Sequence, residues 1–102
     1  MKTGVEQIKE ERERQLNELG YTLEHDQMYD SPQDMIVAAC IYANLGIEEH
    51  PDHEFLHQMA DAWPWDIKYF KPKDQRRNLI RAGALIAAAL DRLGPEENNE
   101  GE

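Results

Sequence analysis

The chain has 102 residues, 40% of them hydrophobic, and a formal net charge of -10. That length fits one domain with a modest core, and the acidity argues against general nucleic-acid binding, which needs basic surface to displace counterions. Cys40 is the one cysteine, which excludes an intrachain disulfide, and the longest uncharged apolar run, AGALIAAAL, is far shorter than the roughly 20 residues that cross a bilayer.

Four helices are predicted. The first covers 4–19, GVEQIKEERERQLNEL, with Val5, Ile8, Leu16 and Leu19 as its apolar stripe and Gly20 as its stop. Arg12 interrupts that stripe, which predicts a buried arginine paired with a carboxylate from 24–34. The charged start of this helix predicts no signal peptide. A loop, GYTLEHDQMYDSPQ, follows. The second helix is well marked: Ser31 as cap, Pro32 at the first helical position, Asp34 in the first turn, Gly46 at the end. Met35 to Ala43 are almost all apolar, so this helix is expected to be buried on most sides, with the Cys40 thiol inert inside it.

A shorter third helix is predicted from 52 to 62, stopped by Pro64. The segment 63–73, WPWDIKYFKPK, has two prolines and no sustained period, and reads as an ordered connection held by aromatic burial. The fourth helix runs from 74 to 93, with Gly94 and Pro95 as its stop. Leu79, Ala82, Gly83, Ile86, Leu90 and Leu93 form its expected core stripe, and Gly83 predicts close packing against helix two. Residues 94–102 read as a disordered acidic tail. The expectation is an all-α, compact bundle of about four helices in a single domain over 1–93, with helices two and four as the central pair.

Charge is segregated along the chain. Residues 21–66 hold ten acids and no lysine or arginine, whereas 67–93 hold seven basic residues and two acids. The two regions can pair with each other, or the basic one can meet an outside anion. HEFLH, residues 53–57, matches the zinc-peptidase pattern H-E-x-x-H, with His53 and His57 on one helical side and Glu54 as a base. No later histidine completes such a site, so no metal, no cofactor and no catalytic residue are predicted. His50, His53 and His57 fit adventitious metal binding better. Small all-helical nucleotide pyrophosphohydrolases hold magnesium on paired carboxylates; here Asp34 and Asp91 stand singly on the apolar helices. Arg76 and Arg77, by contrast, fall at the positive end of the fourth helix, where cations are unfavourable by about 0.3–1 kcal/mol each unless an anion is near.

The stretches ERERQ, GYTLEHD, AACIYA and WPWDIKYFKPKDQRRNLIRAGALI together resemble a family of small uncharacterised bacteriophage and prophage proteins. Its motifs are E-R-x-R-Q, G-[WY]-T-x-x-H-D, A-A-x-x-Y-A, and W-P-W followed by K-P and R-x-[DN]-L-[VI]-[KR]-A-[GA]-A-L-I. The match runs over 10–93 apart from about 46–62, so HEFLH lies outside it. The family pattern has a glutamate where Ala89 stands here. No activity comes with this resemblance; it implies phage origin and the host cytoplasm.

The function expected from these readings is a small non-enzymatic phage accessory protein engaged in counter-defence. It binds an anionic small molecule, such as a nucleotide signal, or a host protein, through the aromatic and basic segment 63–81. The candidate ligand residues are Trp63, Trp65, Lys68, Lys71, Lys73, Arg76, Arg77 and Arg81, with Arg12, His25 and Asp26. Its small-residue helix predicts a homo-oligomer, with no membrane and no general nucleic-acid partner. The alternatives are a metal-dependent pyrophosphohydrolase-like enzyme and an acidic decoy imitating DNA; interspersed basic residues argue against the decoy.

Overall fold

The computed structural model of the chain describes residues 1–17 and 31–94. Four helices occupy them: α1 (Gly4–Asn17), α2 (Pro32–Leu45), α3 (His53–Ala62) and α4 (Gln75–Leu93), with a 3-10 turn at Ile67–Tyr69 before α4. The expected continuation of the first helix to 19, the loop after it and the acidic tail fall partly or wholly outside the described residues.

Local chemistry starts and stops each helix. Ser31 Oγ accepts the Asp34 N–H at 3.1 Å and Pro32 takes the first helical position, where its missing N–H costs nothing. Asp52 and Asp74 do the same for α3 and α4, accepting the N–H groups of Phe55 and Arg77, each at 2.8 Å. Gly94, at φ 86, ends α4 in a left-handed conformation that favours glycine.

Helices α2 and α4 form the central pair and make the most extensive contact of the fold. Met35, early in α2, packs with Ala88 and Ala89 late in α4, and Gly46, just past α2, meets Leu79 early in α4; the pair is therefore antiparallel. Alanines at 38, 39, 82, 84, 88 and 89 are buried, which lets the helices approach closely. A methyl placed on Gly46 would lie 2.5 Å from Leu79 Cδ2, so this glycine makes room for that leucine.

One broad side of the pair is covered by α3 and by the aromatic connection. Phe55, Leu56 and Met59 of α3 pack on the cluster of Ala38, Ile41, Tyr42, Leu45, Trp63 and Ala82. Trp63 stands edge-on to Tyr42 and to Trp65, with centroids 5.5 and 5.4 Å apart, and tilts over Phe70 at 5.1 Å. Its Nε1 donates to the Asp66 carbonyl. Truncating a buried ring of this size costs about 3–5 kcal/mol. The connection is thus a wedge of the core, as expected.

Four packing expectations are corrected. Leu79, Ile86, Leu90 and Leu93 are exposed, not the core stripe of α4; the buried positions are Asn78, Ile80, Ala82, Ala84, Ala88 and Ala89. Helix α2 buries one side alone, leaving Ile36, Val37 and Cys40 exposed, because no element of the described residues covers its far face. Gly83 admits Ile8 of α1, whose Cδ1 would lie 2.5 Å from an added methyl, and not α2. Helix α1 crosses α4 through Ile8, Glu11, Arg12 and Gln15, so its buried stripe is largely polar; Val5 faces solvent.

Candidate functional site

Where α1 crosses the start of α4, a cleft of about 670 Å³ opens, lined by Met1, Lys2, Gln7, Glu10, Glu11, Arg14, Arg76, Arg77 and Ile80. Four cationic side chains face two carboxylates there, an excess of two positive charges on a chain of net charge -10. On α4 no carboxylate stands one turn from Arg76, and Asp74, one turn from Arg77, is engaged as the cap, so the counter-charge comes from Glu11 of α1.

Glu11 organises the cleft. It is 3% exposed and receives Arg14 Nε and Nη2 at 2.9 and 2.8 Å, a bidentate pair, together with Gln15 Nε2 at 3.3 Å. Arg77 Nη1 approaches its other side at 3.6 Å. Burial pushes the Glu11 carboxyl up, but the hydrogen bonds and charge of Arg14, the Gln15 amide and the charge of Arg81 outweigh it and hold the carboxyl below its ordinary value of 4.5. Lys2 pairs with Glu10 at 2.6 Å on the rim. Arg76 is exposed and has no carboxylate partner among the described residues.

The residues expected to form one ligand surface divide into separate places. Arg76 and Arg77 line the cleft. Trp63 and Trp65 turn into the core, so they do not form a stacking platform beside the arginines. Lys68 lies over the Tyr69 ring at 5.1 Å. Lys71 and Lys73 are held through their backbones: the Lys71 N–H donates to Tyr42 Oη at 2.9 Å, and its carbonyl accepts Arg81 Nη1. Arg81 also lies 5.9 Å over the Tyr42 ring, on the connection and away from the cleft lining. Arg12 is 8% exposed, as expected for its place in the stripe, and its guanidinium reaches Asp91 of α4 at 3.5 Å. His25 and Asp26 lie outside the described residues.

Four residues that organise this region, Lys2, Glu11, Arg14 and Asn78, were not expected from the sequence. Lys2, Glu11 and Arg14 were not among the expected ligand residues; the lack of a local counter-charge for Arg76 and Arg77 was a signal for the carboxylate of Glu11 alone. Asn78, fully buried, accepts the Lys73 N–H at 2.8 Å and donates to the Lys73 carbonyl at 2.9 Å. That closed pair of bonds fixes the chain just before α4 and hence aims its first turn. The histidines of HEFLH are exposed, and His57 lies 3.9 Å from Asp61. Among the described residues no group of three His, Cys, Asp or Glu stands close enough to hold a metal ion, and no helix is long and apolar enough to cross a membrane.

No protein-family model, no curated protein and no solved structure matches the chain.

Proposed function

We propose that the chain is a non-enzymatic phage accessory protein that acts in the host cytoplasm by holding a phosphate-bearing small molecule in the cleft between α1 and α4. The phage assignment rests on the sequence motifs. The binding assignment rests on one observation: an excess of cations converges on a concavity at the N-terminal turn of α4, in a protein otherwise dominated by acids. The cleft volume lies within the roughly 300–1,000 Å³ of small-molecule sites. Arg76, which has no carboxylate partner among the described residues, is the side chain placed to take a phosphate, and Arg77, 3.6 Å from Glu11, stands beside it. Sequestering a nucleotide signal by occupancy is the counter-defence role that fits such a site.

Calorimetric titration with pyrophosphate and with ATP tests this reading. Saturable binding that weakens with added salt is expected. Arg76→Ala should weaken it about tenfold or more, the loss of one charge-assisted hydrogen bond, while the denaturation midpoint stays put. No heat at millimolar ligand, or equal affinity in Arg76→Ala, refutes the site. Turnover of the nucleotide with magnesium would move the function to the pyrophosphohydrolase alternative.

A further inference from the structure

The α2/α4 pair is a layer two helices wide, and no element of the described residues covers one of its broad sides. On α2, Ile36, Cys40 and Ala43 follow one another at spacings of four and three, and Ile47 stands in the turn just past the helix. On α4, Leu79, Ile86, Leu90 and Leu93 follow at seven, four and three. Because the helices run antiparallel, with Met35 against Ala88 and Ala89 and Gly46 against Leu79, these two stripes point to the same side, opposite the side covered by α3 and Trp63. All eight residues are exposed. The six large aliphatic ones range from 47% exposed at Leu79 to 70% at Ile47, and none of the eight carries a charge.

We infer that this face is the interface of a homodimer, in which a second copy lays its own α2/α4 pair on the first and completes a four-helix bundle. Two properties select a second copy as the occupant. The area is right: the six residues together expose about 600 Å², at the top of the roughly 300–600 Å² of the largest apolar patch on an ordinary monomer and approaching the roughly 800 Å² per partner of a standard interface, with Cys40 and Ala43 adding to it. The shape is right as well. The alternation of three and four is the spacing of a seam that packs against helices, and a flat antiparallel pair is half of a bundle whose other half is an identical pair. A two-fold axis through such a face makes it self-complementary. Cys40 and Ala43, small residues midway along α2, permit the close approach that a bundle core needs.

Sedimentation equilibrium of the full chain at micromolar concentration is expected to give twice the 11.9 kDa chain mass. Leu90→Glu would leave an unpaired carboxylate in the interface and should raise the dimer dissociation constant by about a hundredfold or more, with helicity by circular dichroism retained because Leu90 is exposed in the single chain. Ile36→Glu, on the other helix, should do the same and carries the test if Leu90→Glu alters helicity. Gln58→Glu, on the exposed surface of α3 at the opposite side of the pair, should leave the dimer intact. The Cys40 thiol supplies a second readout: it should react slowly with an aromatic disulfide reagent in the dimer and at the rate of a free thiol in Leu90→Glu. A monomeric wild-type chain overturns the inference, whether residues 18–30 or another protein then take the face. So does a dimer that both glutamate variants leave intact. Pyrophosphate titration of Leu90→Glu separates this outcome from the cleft, which lies on the α1 side of α4.

Discussion

Replacing Glu11 by glutamine removes the negative charge around which the cleft is built and keeps the side chain's shape. The carboxylate is 2% exposed at its side chain and touches Arg14 and Arg77, whose side chains are 38% and 47% exposed. Removing one member of a fully buried pair costs about 3–5 kcal/mol. Here both arginines are partly exposed and recover part of that through water, so a loss of about 2 kcal/mol is expected. In urea denaturation near pH 7 that is a drop in midpoint of roughly 1–2 M. The pH dependence gives the sharper test. Glu11's folded pKa is depressed below 4.5, so its ionised form stabilises the fold above its unfolded pKa, and that contribution is lost as pH falls through the folded value. The separation between wild type and Glu11→Gln should therefore be full above about pH 5 and close progressively at lower pH. Affinity should change in the opposite sense from stability. With one of the two carboxylates gone, pyrophosphate should bind more tightly to the folded variant. An unchanged midpoint at pH 7, or a separation undiminished in acid, would refute the role given to Glu11.

Two further expectations concern residues that hold the cleft's walls. Asn78→Ala removes the side-chain partner of both the N–H and the carbonyl of Lys73 and empties a fully buried position, and should cost about 1–3 kcal/mol, with the amide of Lys73 losing its hydrogen-exchange protection; protection that survives the change removes Asn78 from this role. Arg12→Ala deletes a guanidinium 8% exposed beside Asp91 together with its packed stem, and should lower stability by about 2–3 kcal/mol, read as a denaturant midpoint; an unchanged midpoint would make the α1–α4 crossing independent of that residue.

The helix termini were legible in the sequence because the forces that set them act within one turn. Ser31 with Pro32, Asp52, Asp74 and Gly94 each satisfy or end a ladder of backbone groups from a few residues away, so α2, α3 and α4 begin and end where those residues stand. The aromatic connection was legible for a related reason: Trp63 just before Pro64, with Trp65 and Phe70 between Pro64 and Pro72, carries too much apolar surface to be left in water, although the sequence left open whether these rings would wedge the core or stack on a ligand. Arg12 was legible as a buried arginine because it falls on an apolar stripe.

Which face of a helix is buried was another matter. Along α2 and α4 apolar residues stand on nearly every side, so periodicity assigns the core to the largest of them. The tertiary structure assigns it to the smallest: alanines at 82, 88 and 89 let α2 and α4 come close, and Leu79, Ile86, Leu90 and Leu93 are left outside that contact. The cleft, too, exists in three dimensions alone. Lys2, Glu11 and Arg14 reach Arg76 and Arg77 across some sixty intervening residues, and nothing local in either stretch names the other. Caps and turns are short-range and leave their mark on neighbouring residues. Burial and charge pairing depend on which surfaces finally meet, and that is decided by the packing of the whole chain.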